Sequence, residues 1–253
     1  VALNNRVVPI PRGKVLGGSS SINGHVVTRG QPEDYDEWAA LGNPGWDFAS
    51  LLPYFRRSED ATGFADPARG HGGPMTVKRS QGLEELTGLL IKAAGECGIP
   101  YNDDPNSPNV EGIGFTQRAV RNGRRVSAAR GYLKPARGRA NLRIVTDAQA
   151  RRIVFEGRRA VGVAYTRRGV AREVRVGREV IVSGGAVNSP QLLQLSGIGP
   201  GEVLRGQGVS VLQDNDHVGR NLQDHVGLNY TYRMMVPTLN DELRPWSGKL
   251  RAG

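Results

Sequence analysis

The stretch from Gly17 to Gly24 combines residue types that can contact a large ligand through the backbone. It reads Gly-Gly-Ser-Ser-Ser-Ile-Asn-Gly, which buries little apolar area and suits neither a core strand nor an amphipathic helix. Glycine permits a positive φ, and bare N–H groups and hydroxyls can bind an anion. A flexible Gly/Ser linker is the alternative. Flanking apolar residues favour an embedded segment instead, and they are Val15, Leu16, Ile22, Val26 and Val27.

A second stretch with similar potential follows a predicted buried strand at Val180–Val182. The pair Gly184-Gly185 comes next, and Ser189 and Pro190 suit the N-cap and first position of a helix over 191–196. A strand, a glycine pair and a helix N-terminus can meet a phosphate or dinucleotide at the carboxyl edge of a sheet. A tight βα turn without a ligand fits the same residues, and this segment alone does not decide between the two.

Composition indicates a globular protein and limits its chemistry. The 253 residues, with 35 glycines and a hydrophobic fraction of 38%, suit a loop-rich α/β protein of one large or two small domains. A single cysteine, Cys97, excludes an internal disulfide and a multi-cysteine zinc site, and no metal site is expected. No apolar run approaches the length of a membrane span. The net charge of +10 invites a nucleic-acid partner, but the arginines are scattered without interleaved aromatics, so none is expected.

Local signals predict the elements that position these stretches. Pro32 in a first-turn position predicts a helix that ends at Gly42. Asp47 can cap a second helix, which Pro53 must kink or divide.

Periodicity predicts the later elements. A helix over 83–97 should place Cys97 in the core, and a helix capped by Ser127 should end at Pro135. Strands are predicted over 142–145, 150–155, 161–165, 170–176 and 179–182, with the middle three forming a meander.

Two separated stretches resemble the signatures of one family. Residues 13–23 and 185–199 are similar to the first and second signatures of the glucose–methanol–choline (GMC) flavoprotein oxidoreductases, and residues 218–225 resemble a third common block. Asp34–Trp38 and Gly72-Gly73-Pro74 lie between them, in the order typical of the bacterial alcohol and choline dehydrogenase branch. The resemblance covers residues 9–230.

The resemblance implies an α/β (α+β mixed) fold, in which an incomplete FAD-binding Rossmann-like domain carries an inserted substrate domain. It assigns 1–30 and 116–229 to the FAD-binding domain, 31–115 to a lid and substrate-domain segment, and 230–253 to the start of a second substrate-domain segment. FAD is the implied cofactor. It is expected to be non-covalent, because Ile22 stands where some members carry a tethering histidine. The residues implied to bind FAD are Val15, Gly17, Gly18, Ser19, Asn23, Gly24, His25, Val26, Ala150, Gly185, Asn221 and Asp224.

No residue of this chain is assigned to catalysis. The family's Gly-x-Gly-x-x-Gly fingerprint does not occur here, and its catalytic histidine, with a second histidine or an asparagine, is expected downstream of Gly253. The chain is therefore expected to be an internal fragment of a longer protein, inactive by itself. Four histidines are present outside the catalytic blocks, with His217 expected in a surface loop: His25, His71, His217 and His225.

The implied activity is oxidation of an alcohol to an aldehyde by hydride transfer to the flavin N5. A small alcohol would be the substrate, and oxygen or a quinone the electron acceptor. Two alternatives stay open: an FAD-containing hydroxynitrile lyase on the same fold, and a catalytically incomplete fragment or basic binding module. The expected location is cytoplasmic or peripheral to a membrane.

Overall fold

A computed structural model describes residues 2–80, 85–225, 235, 238, 241 and 243–245. The chain divides into two compact units, one comprising Val1–Leu142 with Val236–Gly253 and the other Arg143–Met235. The predicted start of helix 83–97 and most of the predicted segment 230–253 lie outside the described residues. The four-part domain division stays a prediction.

The first unit combines helices with pairs of very short strands. β1 pairs in parallel with β2, while β3 pairs with β4 and β5 with β6 in antiparallel fashion. A 3₁₀ turn at Gly18–Ser21 and a π-helix at Ala129–Leu133 complete it. The elements are α1 (Pro32–Ala40), α2 (Phe48–Ser58), β1 (Glu59–Asp60), β2 (Met75–Thr76), β3 (Lys78–Arg79), α3 (Glu85–Glu96), β4 (Gln117–Arg118), β5 (Val120–Arg121), β6 (Arg124–Arg125) and α4 (Lys134–Ala136).

Capping side chains start the first two helices as predicted. Pro32 opens α1, where the N–H of Gln31 donates to Asp34 Oδ2 at 2.9 Å. Asp47 caps α2, because its Oδ1 accepts the Ser50 N–H at 2.9 Å.

Aromatic packing joins α1 to α2. The ring centroid of Tyr35 lies 5.3 Å from that of Phe55 and 6.1 Å from that of Phe48. Of the two predicted effects of Pro53, division of the helix does not occur, since α2 continues through it. It removes one hydrogen-bond donor from an eleven-residue helix whose apolar face these ring contacts hold in place.

Charged and polar groups fill much of the interior of the first unit. Arg69 is 1% exposed, and its guanidinium lies 3.3 Å from Glu59 Oε2, 3.3 Å from Asp104 Oδ1 and 3.0 Å from Gln117 Oε1. Arg29 pairs with the same glutamate. These groups come from β1, β4 and three loops, so the network joins segments far apart in sequence.

A small apolar cluster lies beside this network. Ala61, Phe64 and Val77 form it, each at most 6% exposed. The Phe64 ring lies 4.8 Å from the guanidinium carbon of Arg69 and 4.7 Å from that of Arg79. Aromatic faces therefore contribute to the environment of the buried charge.

The second unit is built on the predicted meander. β8 pairs with both β7 and β9 in antiparallel register. Arg168 and Gly169 have φ of 50° and 78°, as a two-residue type I′ turn requires. The elements are β7 (Ala148–Glu156), β8 (Arg159–Arg167), β9 (Val170–Arg175), α5 (Gly185–Leu195), β10 (Ile198–Gly199), α6 (Gly201–Gly206) and β11 (Gln213–Asp214).

Two predicted strands are wrong. Residues 142–145 and 179–182 are not assigned to strands, and Ile181 is 78% exposed although it was expected in a buried strand. A strand exists only where its backbone pairs with a neighbour, and no described strand pairs with either segment. Their apolar patterns predicted burial without specifying a partner.

The predicted helix 191–196 begins earlier than expected. α5 already starts at Gly185, so Ser189 lies inside it and does not cap it. The Ser189 hydroxyl accepts the N–H of Gly184 at 2.9 Å, which ties the turn before α5 to its interior.

Two expectations about the first unit also fail. Cys97 is exposed, as are Leu89 and Leu90 on α3, because no described residue covers this face of the helix. The helix after Ser127 continues through Pro135 to Ala136. The N–H of Lys134 bonds to Ala129 O in a wide π-type turn, which loosens the normal register just before the proline.

Replacing Arg69 with Met should lower the free energy of unfolding by about 3–5 kcal/mol, because it leaves the buried Asp104 carboxylate without its cation. Urea unfolding monitored by circular dichroism measures the change. Arg175→Met is the matched control, since it breaks an exposed pair with Glu156 and should cost at most about 1 kcal/mol. Equal losses in the two variants would contradict a structural role for the buried network.

Candidate functional site

The glycine–serine segment, residues 13–26, forms a tight turn stabilised by its own hydroxyls. Gly17 and Gly18 have φ of 90° and 55°, so both use the freedom predicted for them. The Ser20 hydroxyl donates to Gly17 O, and the Ser21 hydroxyl donates to Leu16 O at 2.9 Å. These hydroxyls therefore stabilise the turn itself. The surface of the turn consequently consists more of backbone and apolar groups than the sequence predicted.

The Ser19 hydroxyl is also engaged within the segment. It accepts the N–H of Gly13 at 3.2 Å, and the Ser20 hydroxyl accepts the N–H of Ala128 at 2.9 Å from a segment about a hundred residues away. The turn is thus attached to the residues that precede the π-helix.

This attachment leaves no room for a side chain at Gly17. A Cβ there would lie 2.6 Å from Ser21 Oγ and 3.0 Å from Ala129 N. Glycine is therefore required at position 17 for two reasons, which are its positive φ and the close approach of the π-helix.

Apolar side chains next to this turn are exposed. Val15, Ile22 and Val26 are 55%, 50% and 47% exposed, although the sequence favoured an embedded segment. Adjacent exposed apolar side chains are typical of a surface that contacts another group. Such a surface can take a flat, largely apolar ring.

Asn23 connects this segment to β6. Its Oδ1 accepts from Arg125 Nη1 at 2.8 Å and from the N–H of His25 at 3.0 Å, while Arg125 also donates to Ser20 O at 3.2 Å. Sequence reasoning did not identify Arg125 as a site residue, because nothing local indicates a contact across a hundred positions.

His25 has an unusual conformation and an unused polar atom. Its φ is 48°, and its Nδ1 is buried without a hydrogen-bond partner among the described residues. Desolvation, followed by the positive charges of Arg125 and Arg118, lowers the pKa of His25 below the ordinary value of 6.5. A neutral imidazole with a free nitrogen can make one hydrogen bond to a ligand.

In the second unit, a groove of about 500 Å³ separates α5 from residues 219–223. Asn221 lines it with φ of 55°, and Ala186, which follows Gly185, lines it from the helix. The Gln194 side chain bridges the two walls by donating to Val218 O at 3.0 Å. Two predicted stretches, 185–199 and 218–225, are thus brought together.

The remaining predicted residues lie elsewhere in that unit. Ala150 is half-buried on β7, immediately before a register shift in its pairing with β8. Asp224 is exposed, and its Oδ1 accepts the N–H of His225 at 2.8 Å. Neither residue lines the groove.

Among the described residues, no group of His, Cys, Asp and Glu is placed to hold a metal ion. No helix there is long and apolar enough to cross a membrane.

Known proteins resemble this chain in sequence. The sequence profile described as GMC oxidoreductase matches residues 1–227. An oxygen-dependent choline dehydrogenase of Rhizobium johnstonii is 44% identical over 244 residues, which are 96% of this chain and 44% of that protein. The chain thus spans about half the length of the curated relatives it matches.

Solved structures of oxidoreductases also resemble this chain. A pyridoxine 4-oxidase from Mesorbium loti is 35% identical, with a TM-score of 0.75, over 80% of this chain and 40% of its own. An FAD-dependent oxidoreductase from Chaetomium thermophilum is 33% identical, with a TM-score of 0.78, over 84% of this chain and 39% of its own.

Arg125→Gln should raise the pKa of His25 towards 6.5, because it removes one of the positive charges that disfavour the imidazolium. An NMR titration of the histidine ring protons measures the change. Arg124→Gln is the control, since this neighbour points to the opposite face of the strand and should leave the His25 pKa nearly unchanged. An equal rise in both variants would mean that net charge alone sets the shift.

Gly17→Ala should weaken FAD binding at least about tenfold, because the new Cβ would displace Ser21 and the π-helix. Fluorescence titration of flavin-stripped protein with FAD gives the affinity, and release of FAD on stripping also tests the non-covalent assignment. Gly42→Ala is the matched control: its φ of 97° imposes similar strain, but its Cβ would meet nothing within 4 Å. Unchanged FAD affinity in Gly17→Ala would remove this segment from the binding site.

Proposed function

Because the chain belongs to the GMC oxidoreductase family, we propose that the whole protein oxidises an alcohol to an aldehyde. Its cofactor is FAD, as its motifs predicted. Its mixed α/β fold is that of the FAD-binding Rossmann-like oxidoreductases. The relatives are oxidoreductases, which supports enzymatic activity.

The observation that carries the proposal is the combination of exposed apolar residues with the unpartnered His25 nitrogen. Val15, Ile22 and Val26 present apolar surface, and Nδ1 of His25 needs a hydrogen-bond partner. A flavin ring offers an apolar face and polar edge atoms, so the residues present fit this group.

In this proposal each group of residues has a distinct part in holding FAD. Gly17 and Gly18 let the main chain approach the cofactor, while Asn23, held at its oxygen by Arg125, keeps its amide nitrogen for donation. Gly24 and Ser19 shape the turn around them. Ile22 has no nucleophilic atom, so it cannot tether the flavin, and binding is non-covalent.

In the second unit the proposed contacts are mostly with the backbone. Ala150 would offer main-chain atoms to the adenine, while Gly185 and Asn221, both with positive φ, bring backbone groups to the surface beside the groove. Asp224 is kept as a proposed contact from the motif alone.

When bound, FAD supplies a hydride acceptor at its N5 atom. The residues described here would orient the cofactor and exclude water from its apolar side. We assign no base among the histidines of this chain, because none lies in the family's catalytic blocks. His25 is proposed as a neutral hydrogen-bonding residue, since its lowered pKa disfavours the imidazolium.

Choline is the first substrate to test, because the relative from Rhizobium johnstonii is named an oxygen-dependent choline dehydrogenase. The proposed substrate class is a small alcohol. Oxygen and a quinone are both proposed as electron acceptors, since no residue described here discriminates between them.

Anaerobic addition of choline to the FAD-loaded full-length protein should bleach the visible absorption of the flavin, because hydride transfer reduces the ring. Stopped-flow spectroscopy follows the change, with other primary alcohols tested in turn. Trimethylamine, which lacks the carbinol, is the control and should leave the spectrum unchanged. A flavin that stays oxidised with every alcohol, together with cyanide release from mandelonitrile, would replace oxidation with the lyase alternative.

A further inference from the structure

A basic groove of about 1050 Å³ lies in the first unit, apart from the glycine–serine segment. One wall is the β5–β6 hairpin, the second is the helical segment that begins at Ala129, and the third is the loop Gly72-Gly73-Pro74. Four cationic side chains line it, and no carboxylate is among its lining residues: the cations are Arg121, Arg124, Arg130 and Lys134.

The hairpin places two of these cations opposite each other. Arg121 and Arg124 are direct cross-strand partners, so their side chains point to the same face. Asn122 and Gly123 between them have φ of 51° and 69°, a two-residue type I′ turn that fixes this register. Like charges directly opposite each other destabilise a strand pair, so this pairing by itself does not stabilise the hairpin.

The helical wall also places two like charges close together. Arg130 and Lys134 are four residues apart, a spacing at which like charges on a helix repel. Arg130 is anchored, because its Nη1 donates to Arg125 O at 3.2 Å. Arg130 is thus held on the groove wall, and the like charge of Lys134 lies one turn away from it.

Only one of the four cations is compensated. Arg121 donates to Thr76 Oγ1 at 2.6 Å and lies 3.6 Å from Asp60 Oδ2. Among the described residues no carboxylate lies within 4.0 Å of the cationic groups of the other three. The groove therefore carries three uncompensated positive charges in one concave surface.

Close packing holds the walls together. Gly131 is buried, and a Cβ there would lie 2.8 Å from Met75 Sδ and 3.0 Å from Pro74 O. Val126 is 6% exposed at the back of the groove. The cationic side chains therefore stand on a closely packed backbone.

From this geometry we propose that the groove binds a small, multiply charged oxyanion. Guanidinium forks match phosphate and carboxylate oxygens in two-point contacts, and an ammonium group adds a point charge. The volume is at the upper end of small-molecule sites, which span about 300–1,000 Å³, and exceeds what a single phosphate fills. A bound anion would relieve both like-charge pairs.

Calorimetric titration with inorganic pyrophosphate, and separately with citrate, tests the proposal at constant ionic strength. One site is expected, and the stronger of the two anions distinguishes a phosphate from a carboxylate ligand. The double variant Arg124→Gln/Lys134→Gln should bind about tenfold more weakly or worse. The control Arg172→Gln/Arg178→Gln removes the same charge from exposed positions of the second unit and should bind as the unmodified protein does.

Equal weakening in both double variants would overturn the proposal, because it would assign binding to the net charge of +10. Absence of binding for both anions would overturn it as well. Thermal unfolding tests whether the two cations have a purely structural role. Without anion, Arg124→Gln/Lys134→Gln should have a melting temperature no lower than that of the unmodified protein. With pyrophosphate, the variant should not show the rise in melting temperature that the unmodified protein shows. A lower melting temperature without anion would mean that these cations stabilise the fold.

The titrations are made on both FAD-loaded and flavin-stripped protein. Binding of the anion requires neither flavin reduction nor an alcohol. A failure here would therefore leave the proposed oxidation standing, and a failure of alcohol oxidation would leave the anion site standing.

Discussion

The buried guanidinium of Arg69 is the constraint on which the first unit depends. It binds Glu59 on β1, Asp104 in the loop before β4 and Gln117 on β4, so one side chain fixes three segments. Among the described residues, the apolar cluster beside it consists of three buried side chains, with Val27 packed against them. Hydrogen bonds and charge therefore set the geometry around β1 and β4, because they demand specific positions where apolar contacts would tolerate several.

This constraint reaches the glycine–serine segment through β4. Gln117 O accepts the N–H of Val27 at 2.8 Å, and the N–H of Ala119 donates to His25 O at 2.8 Å. The backbone on both sides of Arg118 thus holds the end of the segment where His25 adopts its positive φ. Strain at that residue is sustained by these backbone hydrogen bonds to Gln117 and Ala119.

Features specified by local chemistry could be predicted from the sequence. The Asp47 cap, the meander with its turn at Gly169 and the positive φ of Gly17 and Gly18 each depend on residues a few positions apart. The family was predicted from motifs whose order and spacing are specific, although no single one is. Proximity in sequence and a distinctive pattern were the two sources of correct prediction.

Features that depend on distant partners could not be predicted. Nothing near Asn23 indicates that Arg125 binds it, and nothing near Arg69 indicates that its guanidinium is buried. Apolar periodicity predicted a core position for Cys97 and a strand around Ile181, yet both are exposed. A pattern states that a face can be buried, but only the rest of the fold determines what covers it.

The β5–β6 hairpin has one further consequence, because successive residues of a strand point to opposite faces. Arg125 contacts Asn23 on one face, while Arg124 lines the basic groove on the other. A flavin beside Asn23 and an anion beside Arg124 would therefore act on the same two-stranded element. Thermodynamic linkage would make any such influence reciprocal: if the anion changed the affinity for flavin by some factor, flavin would change the affinity for the anion by the same factor.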